Sequence, residues 1–495
     1  MNRIKAEQLQ QKVMDAKDAA LLFKNGMVVG TSGFTKSGDS KAVLPALAER
    51  AAVDGIKITL ITGASLGQDT DAKLASAGAL SKRMPFQSDP VLRKHINSGE
   101  VLFIDQHLSE SVELLHSHYI PKLDIAVIEA ALITEDGSIV PTTSVGNSVS
   151  FAAMAEKVII EINTLVPEDI QGIHDIFLPA DYPHRNSIPV NTPDARIGRT
   201  TIPLNPDKIA AIVYTAVQDS PADIVAPDAK TMAIAGHLVG FFESEVTSGR
   251  LTPSLLPIQA GIGKVANAVL TGLQHGGFHD LTMYSEVLQD STFDLIDAGK
   301  LNFASGSSIT VSAACYDRVI GNLDKYRDKM VLRPQNISNA PGVIRRLGII
   351  AINTAIEFDI YGNVNSTHIG GTHIMNGIGG SGDFARNAYL SIFVTQAASK
   401  NDVISHVLPM VSHVDHNEHD VDILVTDYGL ADLRGMAPRE RAQTIISNCV
   451  HPDYRPALQD YFDRACAQRG GQTPHILEEA FSWHVGLREK GTMKG

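Results

Sequence analysis

The stretch around Glu286 places an acidic side chain close to glycine-rich backbone, a pairing that suits covalent catalysis. Glu286 follows the apolar segment 281–284, and the Gly-Ile-Gly turn 261–263 follows the apolar segment 255–260. We expect both segments to be strands, and in open α/β sheets ligands bind outside the carboxyl ends of strands. A carboxylate would then share a crevice with exposed backbone N–H groups, which can stabilise the charge that develops during covalent catalysis.

Neither Glu286 nor the glycine turn has a single interpretation on its own. A helix is predicted over residues 287–298, and a carboxylate directly before a helix commonly caps its first N–H groups. The turn 261–263 is either ligand-binding or a packing turn, because a lone G-x-G is a weak signal. It is not a dinucleotide fingerprint, since the third glycine and the downstream acidic residue are missing. No G-x-x-x-x-G-K-[ST] motif occurs either, so we do not expect nucleoside triphosphate chemistry.

The composition is that of a soluble globular protein with room for two domains. Of its 495 residues, 20% are charged and 44% hydrophobic. The net charge of −13 argues against nucleic acid or an anionic membrane as a partner. The three cysteines suggest neither a disulfide framework nor a zinc site. The first residues lack an apolar signal segment and no stretch approaches 18 apolar residues, so we expect a cytoplasmic protein with no membrane partner.

Apolar segments that alternate with helical patterns and glycine turns predict an α/β fold with mostly parallel sheets. We expect a helix over residues 3–24, a helix that begins near Asp39 and Ser40, and a long helix from residue 229 to 246. Further helices are expected over 439–448 and 455–467 and around Trp483. The predicted strands of the first half are residues 27–31, 56–61, 101–105 and 125–128.

Several short patterns occur twice in the same order. The pattern I-x-x-G-x-[VL]-x-F is found at 96–103 and 296–303, and the turn at Gly137 resembles that at Gly362. Such repetition predicts two related α/β units in tandem, residues 1–227 and 228–495, joined by the Pro- and Asp-rich stretch 218–228. Where the first unit has Ser65, the second has Glu286. We therefore expect the second unit to supply the chemistry and the first to help bind substrate.

Three other segments carry residues that could bind a ligand. The spacing of His413, Asp415, His416 and His419 is similar to that of metal ligands, but these residues share no helical face, so we predict a polar turn and no metal site. The glycine-dense stretch 376–384 lets backbone approach a ligand and turn N–H groups toward it. Lys400 is either a solvated loop lysine or a point charge for a phosphate.

Taken together, these segments resemble the acetyl-CoA hydrolase/transferase family of class I CoA-transferases, and most closely its succinyl-CoA:acetate type. The likeness runs from about residue 15 to the C-terminus and rests on the motifs at 259–263, 284–289, 376–384 and 412–416. It implies two tandem open α/β CoA-transferase domains. It also implies transfer of CoA between a short acyl-CoA (succinyl-CoA or acetyl-CoA) and a small carboxylate (acetate or succinate). From the same likeness we expect a homodimeric assembly. We expect no cofactor other than CoA itself.

The resemblance also assigns roles by position. It implies that Glu286 is the nucleophile that forms an acyl-glutamyl anhydride and then a glutamyl-CoA thioester, and that Asn339 lies near the thioester. It further implies that the N–H groups of Ile262 and Gly380 form the oxyanion hole. The positions that contact CoA are Gly261, Ile262, Gly263, Lys264, Val265, Ile356, Asn376, Gly380 and Lys400. The carboxylate pocket is lined by Ser65, Ser88 and Asp427.

Two departures from the family pattern leave the identity of the small acid open. Relatives commonly have Glu at the position of Asp427, and some place an Arg in the stretch that corresponds to Asp219 and Ser220. A hydrolase that passes the acyl group to water and a propionyl-CoA:succinate transferase are the nearest alternatives. A non-catalytic protein that binds CoA or a sugar phosphate is a further one, and it predicts that Glu286 is dispensable.

Overall fold

The computed structural model describes residues 2–180, 183, 185–222 and 226–494, which divide into two compact units. Unit 1 comprises residues 1–223, 282–296 and 301–347, and unit 2 comprises residues 224–281, 297–300 and 348–495. The boundary after residue 227 stays a prediction. The expected linker 218–228 includes residues 223–225, which lie outside the described residues.

The first part of unit 1 alternates helices and strands. Its helices are α1 (Ala16–Ala20), α2 (Val43–Asp54), α3 (Thr70–Ser76), α4 (Pro90–Asn97), α5 (Glu113–His116) and α6 (Ser148–Met154). Its strands are β1 (Val28–Thr31), β2 (Ile58–Ile61), β3 (Leu80–Met84), β4 (Leu102–Phe103), β5 (Ile125–Ala130), β6 (Leu132–Ile133), β7 (Ile139–Val140), β8 (Lys157–Asn163) and β9 (Ile209–Thr215). Short 3-10 helices cover Glu7–Lys12, Leu108–Glu110, Glu168–Ile170 and Pro206–Lys208.

Seven of these strands form a parallel sheet in the order β4-β3-β2-β1-β5-β8-β9. The interior strand β5 is buried at all six positions, as expected when helices cover both faces of a parallel sheet. Leu44 and Leu47 of α2 pack in the same apolar core as Val29, Leu60 and Val127. Because all seven strands run in one direction, the turns after β1, β2 and β3 lie along one edge of the sheet.

The central part of the chain contributes to both units. Its helices are α7 (Ala229–Thr247), α8 (Lys264–His275), α9 (Asp290–Asp297), α10 (Ala313–Ile320), α11 (Leu323–Tyr326), α12 (Gln335–Ser338) and α13 (Pro341–Leu347), and a 3-10 helix covers Arg327–Lys329. Its strands are β10 (Ile258–Ala260), β11 (Leu281–Tyr284), β12 (Val287–Leu288), β13 (Leu301–Gly306), β14 (Ser308–Ile309) and β15 (Met330–Leu332). Within unit 1, neighbouring strands follow the order β15-β13-β11.

The remainder of unit 2 is a second parallel arrangement with helices at its end. The helices are α14 (Ser381–Asn387), α15 (Pro438–Cys449), α16 (Arg455–Gln468) and α17 (Ser482–Lys490), and a 3-10 helix covers Glu418–Asp420. The strands are β16 (Ile350–Thr354), β17 (Glu357–Asp359), β18 (Val364–Asn365), β19 (His368–Ile369), β20 (His373–Ile374), β21 (Leu390–Val394), β22 (Ala398–Ser399), β23 (Ile404–Ser405), β24 (Val407–Leu408), β25 (Ile423–Thr426) and β26 (Gly429–Asp432). The order is β10-β16-β21-β25-β26, parallel except for the antiparallel pair β25 and β26.

The predicted α/β class with mostly parallel sheets is confirmed, and two predicted helices are wrong in their bounds. The N-terminal helix expected over 3–24 is a 3-10 turn and the short α1, which Asp15 caps. Ile4 and Val13 form bridges with strand residues Ile133 and Ile212, and this extended pairing takes the backbone out of a helical path. The helix expected over 287–298 begins only at Asp290.

The patterns that repeat in the sequence adopt matching local backbone conformations. Gly99 and Gly299 of the I-x-x-G-x-[VL]-x-F pattern have φ +81° and +68°, and the matched turn glycines Gly137 and Gly362 have φ +83° and +95°. Left-handed backbone of this kind is accessible mainly to glycine, so the two sets of turns share one steric requirement. Within the described ranges, no helix is long and apolar enough to cross a membrane.

Candidate active site

Glu286 sits in unit 1, two residues after the last residue of β11, and its backbone is fixed on both sides. Its carbonyl oxygen accepts hydrogen bonds from the N–H groups of Ser307 (2.6 Å) and Ser308 (3.1 Å). The next two residues form β12, which pairs in parallel with β14. Because these two residues are extended, no helix starts there. Glu286 therefore does not have the helix-capping role that its sequence position also allowed. Its side chain is therefore available for another role.

Asn339 orients the Glu286 carboxylate. It is fully buried after α12, and its Nδ2 donates a 2.8 Å hydrogen bond to Glu286 Oε1. The Ser338 hydroxyl donates to Asn339 Oδ1 (2.9 Å), which fixes the amide so that its nitrogen faces the carboxylate. The Asn339 N–H donates to the carbonyl of Gln335, so the backbone of the asparagine is also held. The structure thus brings together two of the predicted catalytic residues.

The protein around Glu286 raises the pKa of its carboxyl group to about 7. Burial is the larger cause, because it disfavours the charged form, and the hydrogen bond from Asn339 lowers the pKa in part. A carboxylate whose conjugate acid has a pKa near neutrality is a stronger nucleophile than an ordinary glutamate, and it is still substantially ionised at neutral pH. Such perturbation is typical of functional carboxylates.

This raised pKa has a consequence for stability. The folded state favours the neutral carboxyl, so its contribution to stability is full below pH 4.5 and is lost as pH rises to about 7. Above pH 7 the charged group costs roughly 3 kcal/mol relative to an ordinary glutamate. We expect Glu286→Gln to gain several degrees in Tm over wild type at pH 8 and much less at pH 5, measured by calorimetry. Glu135→Gln removes an exposed charge and serves as control. A gain for Glu286→Gln that is equal at both pH values would contradict the raised pKa.

The predicted carboxylate-pocket serines lie together in unit 1. Ser88 Oγ donates to Ser65 Oγ at 3.0 Å, although 23 residues separate them in sequence. Ala64, which directly precedes Ser65, and Val287, which directly follows Glu286, belong to one small buried apolar cluster. Phe34 and Leu108 complete this cluster. Partly buried Phe86 packs against this cluster. Two hydroxyls beside an apolar cluster suit a small acid with a polar carboxylate end and a short apolar tail.

The residues predicted to contact CoA belong to unit 2. After β10 the chain passes through the turn 261–263, where Gly261 N–H donates to the carbonyl of Ile352 (3.0 Å) and Ile262 is 48% exposed. Gly263 has φ +115°, and a Cβ at this position would meet no atom within 4 Å. Conformation rather than crowding therefore requires glycine here. Lys264 opens α8 and pairs with Asp228 (2.7 Å), and Val265 is buried.

The glycine-dense stretch of unit 2 ends in α14 and is held by His416. Gly380 is buried and directly precedes α14, whose first residue Ser381 lies 3.1 Å from His416 Nε2 through its hydroxyl. The same imidazole nitrogen is 3.3 Å from Ser366 Oγ, and the ring packs against Phe393 with ring centroids 4.6 Å apart. Asn376 Oδ1 is buried with no hydrogen-bond partner in the described part of the chain. An unsatisfied buried acceptor is costly, and an N–H group of a bound ligand would satisfy it.

The histidine-rich run thus has a structural role in a polar turn. Asp415 accepts hydrogen bonds from Ser366 and Thr367, and His413 packs against His368 with ring centroids 3.9 Å apart. Among the described residues, no group of three or more His, Cys, Asp or Glu side chains is arranged to hold a metal ion. Sequence reasoning did not find the contact of His416 with the α14 turn, because the two segments are 35 residues apart.

His406 is a further residue that sequence reasoning missed. Its Nδ1 contacts the carbonyl oxygen of Ile356, and its Nε2 lies 2.8 Å from Ser399 Oγ. Burial lowers the pKa of His406, so this imidazole is a neutral linker between the two segments.

Asp427 Oδ1 accepts the N–H of Ala397 (2.6 Å) and so fixes the residue that directly precedes β22. The role of Asp427 in the acid pocket stays a prediction.

Lys400 lies at the exposed tip of the β22–β23 hairpin. Lys400, Asn401 and Asp402 have φ values of +50°, +56° and +60°, a left-handed run that is costly for residues other than glycine. Asp402 stabilises the turn, since it pairs with Lys230 (3.1 Å) and its carbonyl accepts the Tyr454 hydroxyl (3.0 Å). No ion pair of Lys400 itself is found in the described part of the chain, so its ammonium group is available to an anionic ligand.

Comparison with known proteins gives a consistent family assignment. The model of the acetyl-CoA hydrolase/transferase N-terminal domain matches residues 1–214, and the model of the corresponding C-terminal domain matches residues 314–462. The chain is 49% identical over 494 residues to a succinyl-CoA:acetate CoA-transferase of Clostridium kluyveri, covering 99% of this chain and 92% of that protein. It is 45% identical over 502 residues to an acetyl-CoA hydrolase of Candida glabrata (98% and 95%). It is 42% identical over 488 residues to a propanoyl-CoA:succinate CoA transferase of Escherichia coli (97% and 99%).

Solved structures share the fold at low sequence identity. RipA from Yersinia pestis aligns with a TM-score of 0.71 at 19% identity over 92% of this chain and 98% of that one. A 4-hydroxybutyrate CoA-transferase from Porphyromonas gingivalis aligns with a TM-score of 0.64 at 21% identity over 92% and 99%. At such identity the likeness shows the fold alone.

Proposed function

Because the chain belongs to the acetyl-CoA hydrolase/transferase family of enzymes, we propose that it transfers CoA between a short acyl-CoA and a small carboxylate through intermediates on Glu286. The observation that carries this proposal is the Glu286 carboxylate, whose Oε1 accepts the Asn339 amide and whose pKa burial raises to about 7. A nucleophile needs only orientation and a raised pKa, and Glu286 has both.

The reaction passes the thioester through two covalent states. The Glu286 carboxylate attacks the acyl-CoA carbonyl, and the C–S bond breaks to give an acyl-glutamyl anhydride and CoA thiolate. The thiolate then attacks the glutamyl carbonyl of the anhydride, which releases the first acid and leaves glutamyl-CoA thioester. A second carboxylate attacks this thioester and reverses the two steps. The scheme conserves the thioester bond energy and requires ping-pong kinetics.

Each addition places negative charge on a carbonyl oxygen, and we infer that the N–H groups of Ile262 and Gly380 stabilise it. A preplaced donor of this kind lowers the activation free energy by roughly 3–4 kcal/mol on mutational precedent. The exposed Ile262 turn and the Gly380 turn that His416 supports are consistent with this role. Asn339 serves the glutamyl group itself, because its amide already bonds the carboxylate.

We propose that Lys400 binds a phosphate of CoA as a point charge. Its position at an exposed hairpin tip supports this role, because an ammonium group there reaches a ligand without a burial cost. Lys400→Ala should raise KM for acyl-CoA about tenfold and leave KM for the carboxylate within about twofold, in initial-rate measurements that vary one substrate at a time. Lys490→Ala removes another exposed lysine of unit 2 and is the matched control. Equal changes in both KM values would remove Lys400 from the CoA site.

Acetyl-CoA hydrolysis is the second candidate function, since the chain is 45% identical to an acetyl-CoA hydrolase of Candida glabrata. In transfer a carboxylate accepts CoA, whereas in hydrolysis water accepts the acyl group. Incubation with succinyl-CoA and isotope-labelled acetate decides between them. The transferase proposal predicts labelled acetyl-CoA with free CoA as a minor product. Release of free CoA at a rate that acetate does not change would support the hydrolase instead.

The acid partner, the assembly and the compartment belong to the same proposal. We propose acetate and succinate as the exchanging acids, with propionate as the alternative that the relative in Escherichia coli suggests. A homodimer in the cytoplasm is the assembly that we expect. Light scattering on the purified protein would measure the mass against the 53.2 kDa of one chain.

A further inference from the structure

A buried ammonium group lies among three carboxylates in unit 1. Lys41 Nζ is 2.6 Å from Glu129 Oε1, 2.9 Å from Asp219 Oδ1 and 3.6 Å from Asp39 Oδ1. The side chain of Lys41 is fully buried. Burial lowers its pKa, but the carboxylates, Glu129 foremost, outweigh this effect and hold the pKa of Lys41 well above its usual value. Lys41 is therefore a fixed positive charge.

Stability alone is a weak reason for such a cluster. Each buried ion costs several kcal/mol in lost hydration, and apolar replacements of buried ion pairs are often neutral or stabilising. Burial also raises the pKa of Glu129 to about 7, so its charged form is disfavoured even beside the lysine. A role in holding particular backbone segments explains the cluster better.

The carboxylates around Lys41 hold two turns. Asp219 Oδ1 accepts the N–H of Gly38 (2.9 Å), at the end of the turn that follows β1. Asp39 Oδ2 accepts the N–H of Gly67 (2.8 Å), in the turn that follows β2 and carries Ser65. The turns also bond each other, since the N–H of Lys36 donates to the carbonyl of Ser65 (2.9 Å). Ser65 is therefore tied to the buried charge through both turns.

A second anchor for the same turn comes from the segment beside Glu286. The Thr310 hydroxyl lies 3.0 Å from Ser37 Oγ and from the carbonyl oxygen of Thr35. The N–H of Thr310 donates to the carbonyl of Leu288 (2.9 Å), in the strand that follows Glu286. The turn after β1 thus lies between the Lys41 cluster and the backbone that supports the nucleophile.

We propose that Lys41 is a positioning residue that, through Asp39 and Asp219, sets where Ser65 lies relative to Glu286 and so controls the fit of the acceptor carboxylate. The inference rests on the proposed transfer reaction. It adds a residue that affects binding of the acceptor carboxylate without contacting it.

The test compares acid and CoA kinetics in two variants of the protein. Lys41→Met should raise KM for the carboxylate about tenfold or more, because the loosened turns misplace Ser65, and should leave KM for acyl-CoA within about twofold. Lys41→Arg keeps the charge and should recover at least part of the acid affinity. Equal rises in both KM values without recovery in Lys41→Arg would reduce the cluster to a structural role and overturn the proposal.

A milder variant keeps the test valid if Lys41→Met does not fold. Ser220 Oγ accepts the N–H of Gln68 (2.8 Å) in the turn that carries Ser65, and Ser220→Ala removes this single anchor. We expect a rise of about threefold in KM for the carboxylate, with Tm close to that of the exposed-site control Ser98→Ala. An unchanged KM for the acid overturns the inference. Absence of a CoA adduct on wild-type Glu286 is a separate result, which counts against the proposed function instead.

Discussion

Glu286→Gln should abolish CoA transfer, with kcat lower by about 10⁴-fold to 10⁶-fold. The amide preserves the size of the side chain and can still accept a hydrogen bond from Asn339, but it cannot form an anhydride with an acyl group. The loss should appear in kcat, because the residues that we expect to bind CoA and the acid are unchanged. Initial rates of acetyl-CoA formation from succinyl-CoA and acetate measure the effect.

Two controls separate loss of the nucleophile from loss of structure. Glu135→Gln makes the same chemical change at an exposed glutamate of unit 1 and should keep wild-type rates. The thermal stability of Glu286→Gln should match or exceed that of wild type, because a buried charge is removed. Transfer at a tenth of the wild-type rate or more in a folded Glu286→Gln protein would show that a different group carries the acyl chain.

Asn339→Ala should have the second-largest effect, a fall in kcat of about 10²-fold to 10³-fold. The variant loses the 2.8 Å hydrogen bond that orients the carboxylate and favours its charged form. The pKa of Glu286 should therefore rise above about 7. Because only the ionised carboxylate attacks, activity falls as pH drops through this pKa, and the acid limb of the rate profile should move to higher pH.

A pH–rate profile between about pH 5.5 and 9 checks this prediction. Ser338→Ala removes the hydroxyl that fixes the Asn339 amide, so it should produce a smaller effect in the same direction. Asn191→Ala truncates an exposed asparagine and is the control. A reduced kcat with an acid limb at the wild-type pH would mean that Asn339 acts on the transition state without tuning the nucleophile.

The fold class was accessible from sequence because its signals are local. The buried parallel strand β5 begins with an apolar run of four residues, 125–128, and α7, α15 and α16 begin or end within about one residue of their predicted bounds. Asp228 caps α7, and α15 and α16 have a proline in their first turn, and such local start signals depend little on distant partners. The same reasoning fails at the N-terminus, where pairing of Ile4 and Val13 with distant strands overrides a helical pattern.

The arrangement around Glu286 depended on contacts that no local pattern encodes. The strands β12 and β14 have two residues each, and only their mutual pairing distinguishes them from the start of a helix. Asn339 is 53 residues from Glu286, and its proximity to the carboxylate followed only from the family resemblance. The supporting contacts of His406 with Ile356 and of His416 with Ser381 likewise join distant segments, and short spacing rules could not identify them.

The most direct test of covalent transfer through Glu286 is the intact mass of the protein after brief incubation with succinyl-CoA, with and without borohydride, for wild type and Glu286→Ala. We predict a CoA-sized mass increase on wild type alone, which peptide mapping places on Glu286 and which added acetate removes. Borohydride should reduce the thioester to an alcohol and release CoA, so that the residue has one oxygen fewer and two hydrogens more than the free glutamate. If wild type gains no mass while thioester is consumed equally by Glu286→Ala, then covalent transfer through Glu286 is wrong.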